Sequence, residues 1–122
     1  MYKRLPDAEF EVMKAVWLTD APMNVNAVAK QMDTSWKIQS VISLLHRLVD
    51  RGFVRTEKNG KERLYYPVVA REDYLKSETD NFVKQYHENS FLKLVTTLYD
   101  NKGLSDGDID ELLLWAKERK AD

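Results

Sequence analysis

Cysteine is absent from the 122 residues. That excludes disulfides, thiol nucleophiles and thiolate metal sites, and it suits a reducing compartment such as the cytoplasm. Histidine occurs only at His46 and His87, the first on a helix flank and the second near a helix end. Neither has a carboxylate at a fixed spacing, and the four glycines form no phosphate-cradling loop. Asp106, Asp108 and Asp110 read as a solvated helix start rather than a metal site. An enzyme, a cofactor and a bound metal are therefore not expected. Long apolar runs are missing too: none approaches the roughly 20 residues of a membrane helix. The opening MYKRLPDAEF has no apolar stretch of the signal-peptide kind, so a cytoplasmic protein without membrane insertion is expected.

What is present is a globular composition, 43% hydrophobic and 32% charged, in a length that fits one domain or a small domain with an appendage. The net charge of −1 hides an asymmetry. Residues 1–75 carry 12 Lys and Arg against 10 Asp and Glu, and residues 76–122 carry 7 against 10. Within residues 30–63 the count is 8 against 4. A basic working surface joined to an acidic module has this form, although solvated charges alone produce it as well.

Apolar periodicity predicts a helix from Asp7 to about Leu18, with Phe10, Met13, Val16 and Trp17 on one face and Pro6 as N1 or Asp7 as N-cap. A short helix follows from Val25 to Met32, capped by Asn24. The clearest pattern runs from Trp36 to Asp50. Ile38, Val41, Ile42, Leu45, Leu48 and Val49 share one face, Thr34 or Ser35 caps the start, and Gly52 ends the helix. Strands at 53–57 and 63–68 flank Lys58-Asn59-Gly60-Lys61, where Asn-Gly favours a type I′ turn. Three more helices are expected, at 72–87, 91–100 and from a Ser105/Asp108 capping box to Lys120.

Helix, short helix, amphipathic helix and basic-tipped hairpin is the order of a winged helix-turn-helix. The expected fold is mainly α with a small β-hairpin: a winged-helix DNA-binding domain at 1–70 and a helical dimerisation region at 71–122. In such a fold the polar face of the third helix enters the major groove, and wing cations meet phosphates. Gln39 is suited to pair with adenine, and Ser40 and Ser43 to approach bases or phosphates. Lys37 lies at the same helix start. Arg47 fits a phosphate or a structural carboxylate. Trp36 either packs on the sugar-phosphate backbone or staples the turn to the core. Lys58, Lys61 and Arg63 are phosphate candidates on the wing. The plain alternative is that these polar residues form only a solvated face, in which case the domain is a winged-helix protein-interaction module.

The tail carries Leu75, Phe82, Val83, Tyr86, Phe91, Leu94, Val95, Leu98, Leu112, Leu113 and Trp115, too many apolar side chains for a surface. Either they fold back on their own winged helix or a homodimer buries them. A dimer also sets two reading heads on a palindromic DNA site.

The ordered set of segments resembles the penicillinase-repressor family (BlaI/MecI/CopY type) along essentially the whole chain. Those segments are Pro6 to Met13 with Trp17, Trp36, Leu44 to Phe53, Lys58 to Pro67, Asp73-Tyr74 and Gly103-Leu104-Ser105. The resemblance implies a dimeric repressor on a palindromic operator of double-stranded DNA, with the C-terminal helices as its interface. It also implies a membrane sensor protease as partner, with Thr97-Leu98 at the position of the family's cleaved Asn-Phe bond. The copper-responsive branch carries C-terminal cysteines that are missing here, so copper sensing is not expected. After Trp36 the family often has Ser-Pro-Lys-Thr; here Lys37-Ile38-Gln39-Ser40 changes the reading face.

Overall fold

The computed structural model describes residues 2–18, 22–32 and 35–120. Its elements are α1 (Asp7–Trp17), α2 (Val25–Lys30), α3 (Ile38–Asp50), β1 (Val54–Asn59), β2 (Glu62–Pro67), α4 (Arg71–Tyr86), α5 (Phe91–Asp100) and α6 (Asp106–Lys120). By its contacts the chain divides into two compact units, Met1–Glu78 and Thr79–Asp122.

The first unit is a winged helix-turn-helix. Its core gathers Val12, Met13 and Val16 of α1, Val28 of α2, Val41, Leu45 and Leu48 of α3, and Phe53, Val54 and Tyr65 of the hairpin. These are the apolar stripes seen in the sequence, now facing one another. Local chemistry sets the helix ends. Asn24 accepts the Ala27 N–H at 2.8 Å and caps α2. Pro6, not Asp7, occupies the N-cap of α1, and its carbonyl accepts the Phe10 N–H at 2.9 Å. Helix α3 starts two residues later than expected, after Lys37, whose side chain makes no capping bond. Ser35 therefore does not cap it, and Thr34 lies outside the described residues. Gly52 follows α3 at φ +82°, the left-handed conformation that its lack of a Cβ permits.

The hairpin corrects one expectation. Asn59 pairs with Glu62, so the two-residue loop is Gly60-Lys61. Only Gly60 has positive φ there, +66°. A type I′ turn at Asn59-Gly60 needs two such residues; a single one at the first loop position has the φ signs of a type II′ turn. Met23 adds an antiparallel bridge to Tyr65, exchanging bonds of 3.2 and 2.8 Å.

The boundary between units falls later than the expected 70/71 because the first turns of α4 are part of the first core. Tyr74 is only 3% exposed. Its ring lies 5.4 Å from Phe53, 5.8 Å from Trp17 and 5.9 Å from Phe10, and its hydroxyl accepts the Leu5 N–H at 2.8 Å. Trp17 closes the same seam by donating Nε1–H to the Val69 carbonyl at 2.9 Å.

The second unit holds the end of α4, α5 and α6. Ser90 caps α5, accepting the Lys93 N–H at 3.2 Å. The capping box forms as the sequence suggests. Asp108 accepts the Ser105 N–H at 2.9 Å, and Ser105 Oγ accepts the Asp108 N–H at 3.1 Å. No residue of α5 or α6 is buried.

Candidate nucleic-acid interface

Helix α3 owes its orientation to a split between faces. Val41, Leu45 and Leu48 are fully buried, while Gln39, Ser40, Ser43 and Arg47 are exposed. At about 100° per residue these polar positions lie on the side opposite the buried ones. The helix is also clamped at its end. Arg51 follows its last turn and donates Nε–H to Glu9 Oε1 at 2.6 Å and Nη2–H to Oε2 at 3.3 Å. Glu9, on α1, is 1% exposed. The hydrogen bond to this carboxylate, more than its bare charge, raises the Arg51 pKa and keeps the guanidinium ionised. A buried carboxylate without that partner would carry an uncompensated charge.

Trp36 is half-buried and packs against the core, which places it as a staple at the entrance to α3. Lys37 stands exposed at the N-cap. His46, which the sequence pattern left without a role, is exposed seven residues after Gln39 and about 20° from it around the helix. That spacing was the available clue.

On the wing, Lys58 and Arg63 are directly opposite partners across the two strands. Like charges in that position destabilise a hairpin unless an anion compensates. Lys61 is exposed in the turn. Arg55 is different. It contacts Glu57 at 2.6 Å and lies 4.4 Å from the Tyr66 ring centre. The Tyr66 hydroxyl donates to Glu57 at 3.1 Å, and this bond raises its pKa. Arg51 and Arg55 are thus occupied internally. Among the described residues, Lys37, Arg47, Lys58, Lys61 and Arg63 join no ion pair within 4 Å.

Between α2, α3 and the wing lies a cleft of about 400 Å³, whose lining includes Asn24, Ile42, His46, Lys61, Glu62 and Arg63. Glu62 is the one acid in that lining, and its Oε1 accepts Asn24 Nδ2–H at 2.8 Å.

The tail residues separate into two groups. Leu75 is half-buried against the core of the first unit. Phe82, Tyr86, Phe91, Leu98, Leu113 and Trp115 are exposed, Phe91 by 60% and Trp115 by 54%. Val83, Leu94, Val95 and Leu112 are half-buried. Leu92, Tyr99 and Leu114, which the periodicity did not single out, are exposed as well. Leu113, Leu114 and Trp115 are consecutive, so α6 is apolar around much of its circumference rather than along one stripe. Thr97 and Leu98 lie inside α5, where Thr97 Oγ1 donates to the Lys93 carbonyl at 2.8 Å.

Comparison with known proteins agrees with this geometry. The model of the family described as "Penicillinase repressor" matches residues 5–117. The penicillinase repressor of Bacillus licheniformis is 28% identical over 123 residues, covering 97% of this chain and 95% of that protein. The methicillin resistance regulatory protein MecI of Staphylococcus aureus is 28% identical over 109 residues, covering 88% and 89%. The solution structure of the DNA binding domain of the repressor BlaI superposes with a TM-score of 0.51 at 32% identity, over 61% of this chain and 94% of that one. The Bacillus licheniformis BlaI monomeric form in complex with the blaP half-operator gives a TM-score of 0.50 at 30% identity, over 61% and 92%.

Proposed function

The chain belongs to the penicillinase repressor family, and from that premise we infer that it is a homodimeric transcriptional repressor that occupies a palindromic operator. At the coarser level it is a winged-helix DNA-binding repressor, not an enzyme. The finer reading rests above all on the opposed Lys58 and Arg63 beside the exposed polar face of α3. Such a surface lacks only an anion, and duplex DNA presents a regular row of them. Gln39, Ser40 and Ser43 then face the bases, while Arg47, Lys58, Lys61 and Arg63 meet phosphates, with Lys37 at the helix entrance. The dimer is favoured because no residue of α5 or α6 is fully buried. A second copy supplies the missing cover, with Phe82, Phe91, Leu98, Leu113 and Trp115 at the contact. The names of the relatives, a penicillinase repressor and a methicillin resistance regulator, favour β-lactam-resistance genes as targets. A membrane sensor protease fits the same family logic. Because Thr97-Leu98 is helical, cleavage there requires α5 to open first.

The test is a salt titration of binding to a duplex that the protein selects from a random pool. Four phosphate-facing cations per head make eight per dimer, so log affinity should fall against log salt with a slope of about −7. Weak binding without sequence preference would favour a protein-interaction module instead. Sedimentation near 14.3 kDa at all concentrations would sink the dimer.

A further inference from the structure

The cleft between α3 and the wing brings together three basic side chains, and among the described residues none of them joins an ion pair within 4 Å. Lys61 and Arg63 come from the hairpin, and His46 comes from α3. We propose that this cleft is a clamp for one backbone phosphate of DNA, and that His46 closes it from the helix side, so that protonation of His46 tightens DNA binding. The proposal rests on the DNA-binding reading above and adds a residue and a form of regulation to it.

Three observations carry it. The first is placement: His46 is exposed on the same outward quarter of α3 as Gln39 and Ser43, on the side that faces the wing. A duplex whose major groove receives Gln39 therefore runs its backbone past His46. The second is size. A cleft of about 400 Å³ accommodates a phosphate and its sugar. The third is charge. The titratable groups that share the cleft lining with His46 are Lys61, Glu62, Arg63 and the buried Tyr65, all on the hairpin; Val25 and Asn26 of α2 and its N-cap Asn24 do not titrate. On α3 itself Arg47 and Asp50 flank it. Within the cleft lining Glu62 is the one acid, and the Asn24 amide holds its Oε1.

Imidazole is the side chain that ordinarily changes charge between about pH 5 and 8. Neutral His46 offers the phosphate a single N–H. Protonated His46 adds a full charge, and with it one more released counterion. Each such ion steepens the dependence of log affinity on log salt by about 0.9. The clamp thus leaves a mark that a general loosening of the fold does not: a salt slope that changes with pH by about one ion per head.

The experiment measures affinity of the full chain for its selected duplex at pH 6 and pH 8, each over a series of salt concentrations. The expected result is tighter binding at pH 6, with a slope steeper by about 0.9 per bound head. His46→Gln should keep the affinity seen at pH 8 and abolish the difference between the two pH values. His46→Lys should show the steeper slope at both. Glu62→Gln should bind more tightly at either pH. His87→Gln, which alters the chain's other histidine, should behave like the unaltered protein. Equal slopes at the two pH values, or a difference that survives His46→Gln, would overturn the clamp while leaving DNA binding intact. Failure to bind any duplex at either pH would instead overturn the DNA-binding reading itself.

Discussion

Replacing Tyr74 with Phe isolates one bond that holds the start of α4 in the first unit. The ring stays, and with it the contacts to Phe10, Trp17 and Phe53. What leaves is the oxygen that accepts the Leu5 N–H at 2.8 Å. Leu5 is buried, so its N–H finds neither water nor another acceptor. A buried donor stranded in this way costs about 1–3 kcal/mol. For a unit of 78 residues the melting temperature falls by roughly 4–8 °C for each kcal/mol. Urea unfolding followed by fluorescence reports it directly, since Trp17 lies 5.8 Å from the Tyr74 ring. The pH dependence gives a second handle. Burial raises the Tyr74 pKa above its ordinary 10.0, because the folded state favours the neutral phenol. Its contribution is complete below about pH 10 and is lost as the pH rises through the folded value. Phenylalanine has no such loss, so the gap between the two proteins should narrow above pH 10. A deficit below about 0.5 kcal/mol, the range of ordinary surface changes, would show that water replaces the hydroxyl and that the reasoning is wrong.

Other expectations can be checked alongside. Arg51→Ala strands the Glu9 carboxylate in the core, so its melting temperature should fall, with Arg51→Lys recovering part of the loss; an unchanged melting curve would refute the clamp on α3. Gly60→Val puts a β-branched residue at φ +66°, at a cost of about 1–2 kcal/mol, whereas Gly60→Asn should cost less; urea midpoints of the two variants decide the point. Phe91→Glu combined with Leu113→Glu should leave the first unit folded and convert the protein to monomers by sedimentation. Gln39→Ala should relax sequence preference on a panel of duplexes, and Lys61→Ala should weaken all of them alike.

Much of this was legible beforehand because single residues carried the message. Asn24 and the Ser105/Asp108 pair cap helices, and both do so in the fold. The stripe through Val41, Leu45 and Leu48 identified the buried side of α3, and therefore its free side. Two features less legible in the sequence have a common origin. Asn59-Gly60 looked like a turn of its own, but the pairing of Asn59 with Glu62 moved the loop one residue on; register is a property of two strands, not of a dipeptide. Leu75 looked like part of the tail, but the neighbouring Tyr74 draws the start of α4 into the first core. Pairing and packing with other elements decided both outcomes. The same holds for His46, whose neighbours Lys61 and Arg63 come from the hairpin.

The absence of any buried side chain in α5 and α6 has a consequence for dosage. If a second copy completes the tail, folding of that region is bimolecular, and its stability grows with the logarithm of chain concentration. Two heads on one palindrome bind as a linked pair only while the pair persists. Occupancy of the operator would then fall faster than the number of repressor molecules, and a modest drop in abundance would act as a switch where a monomer would give only a proportional response.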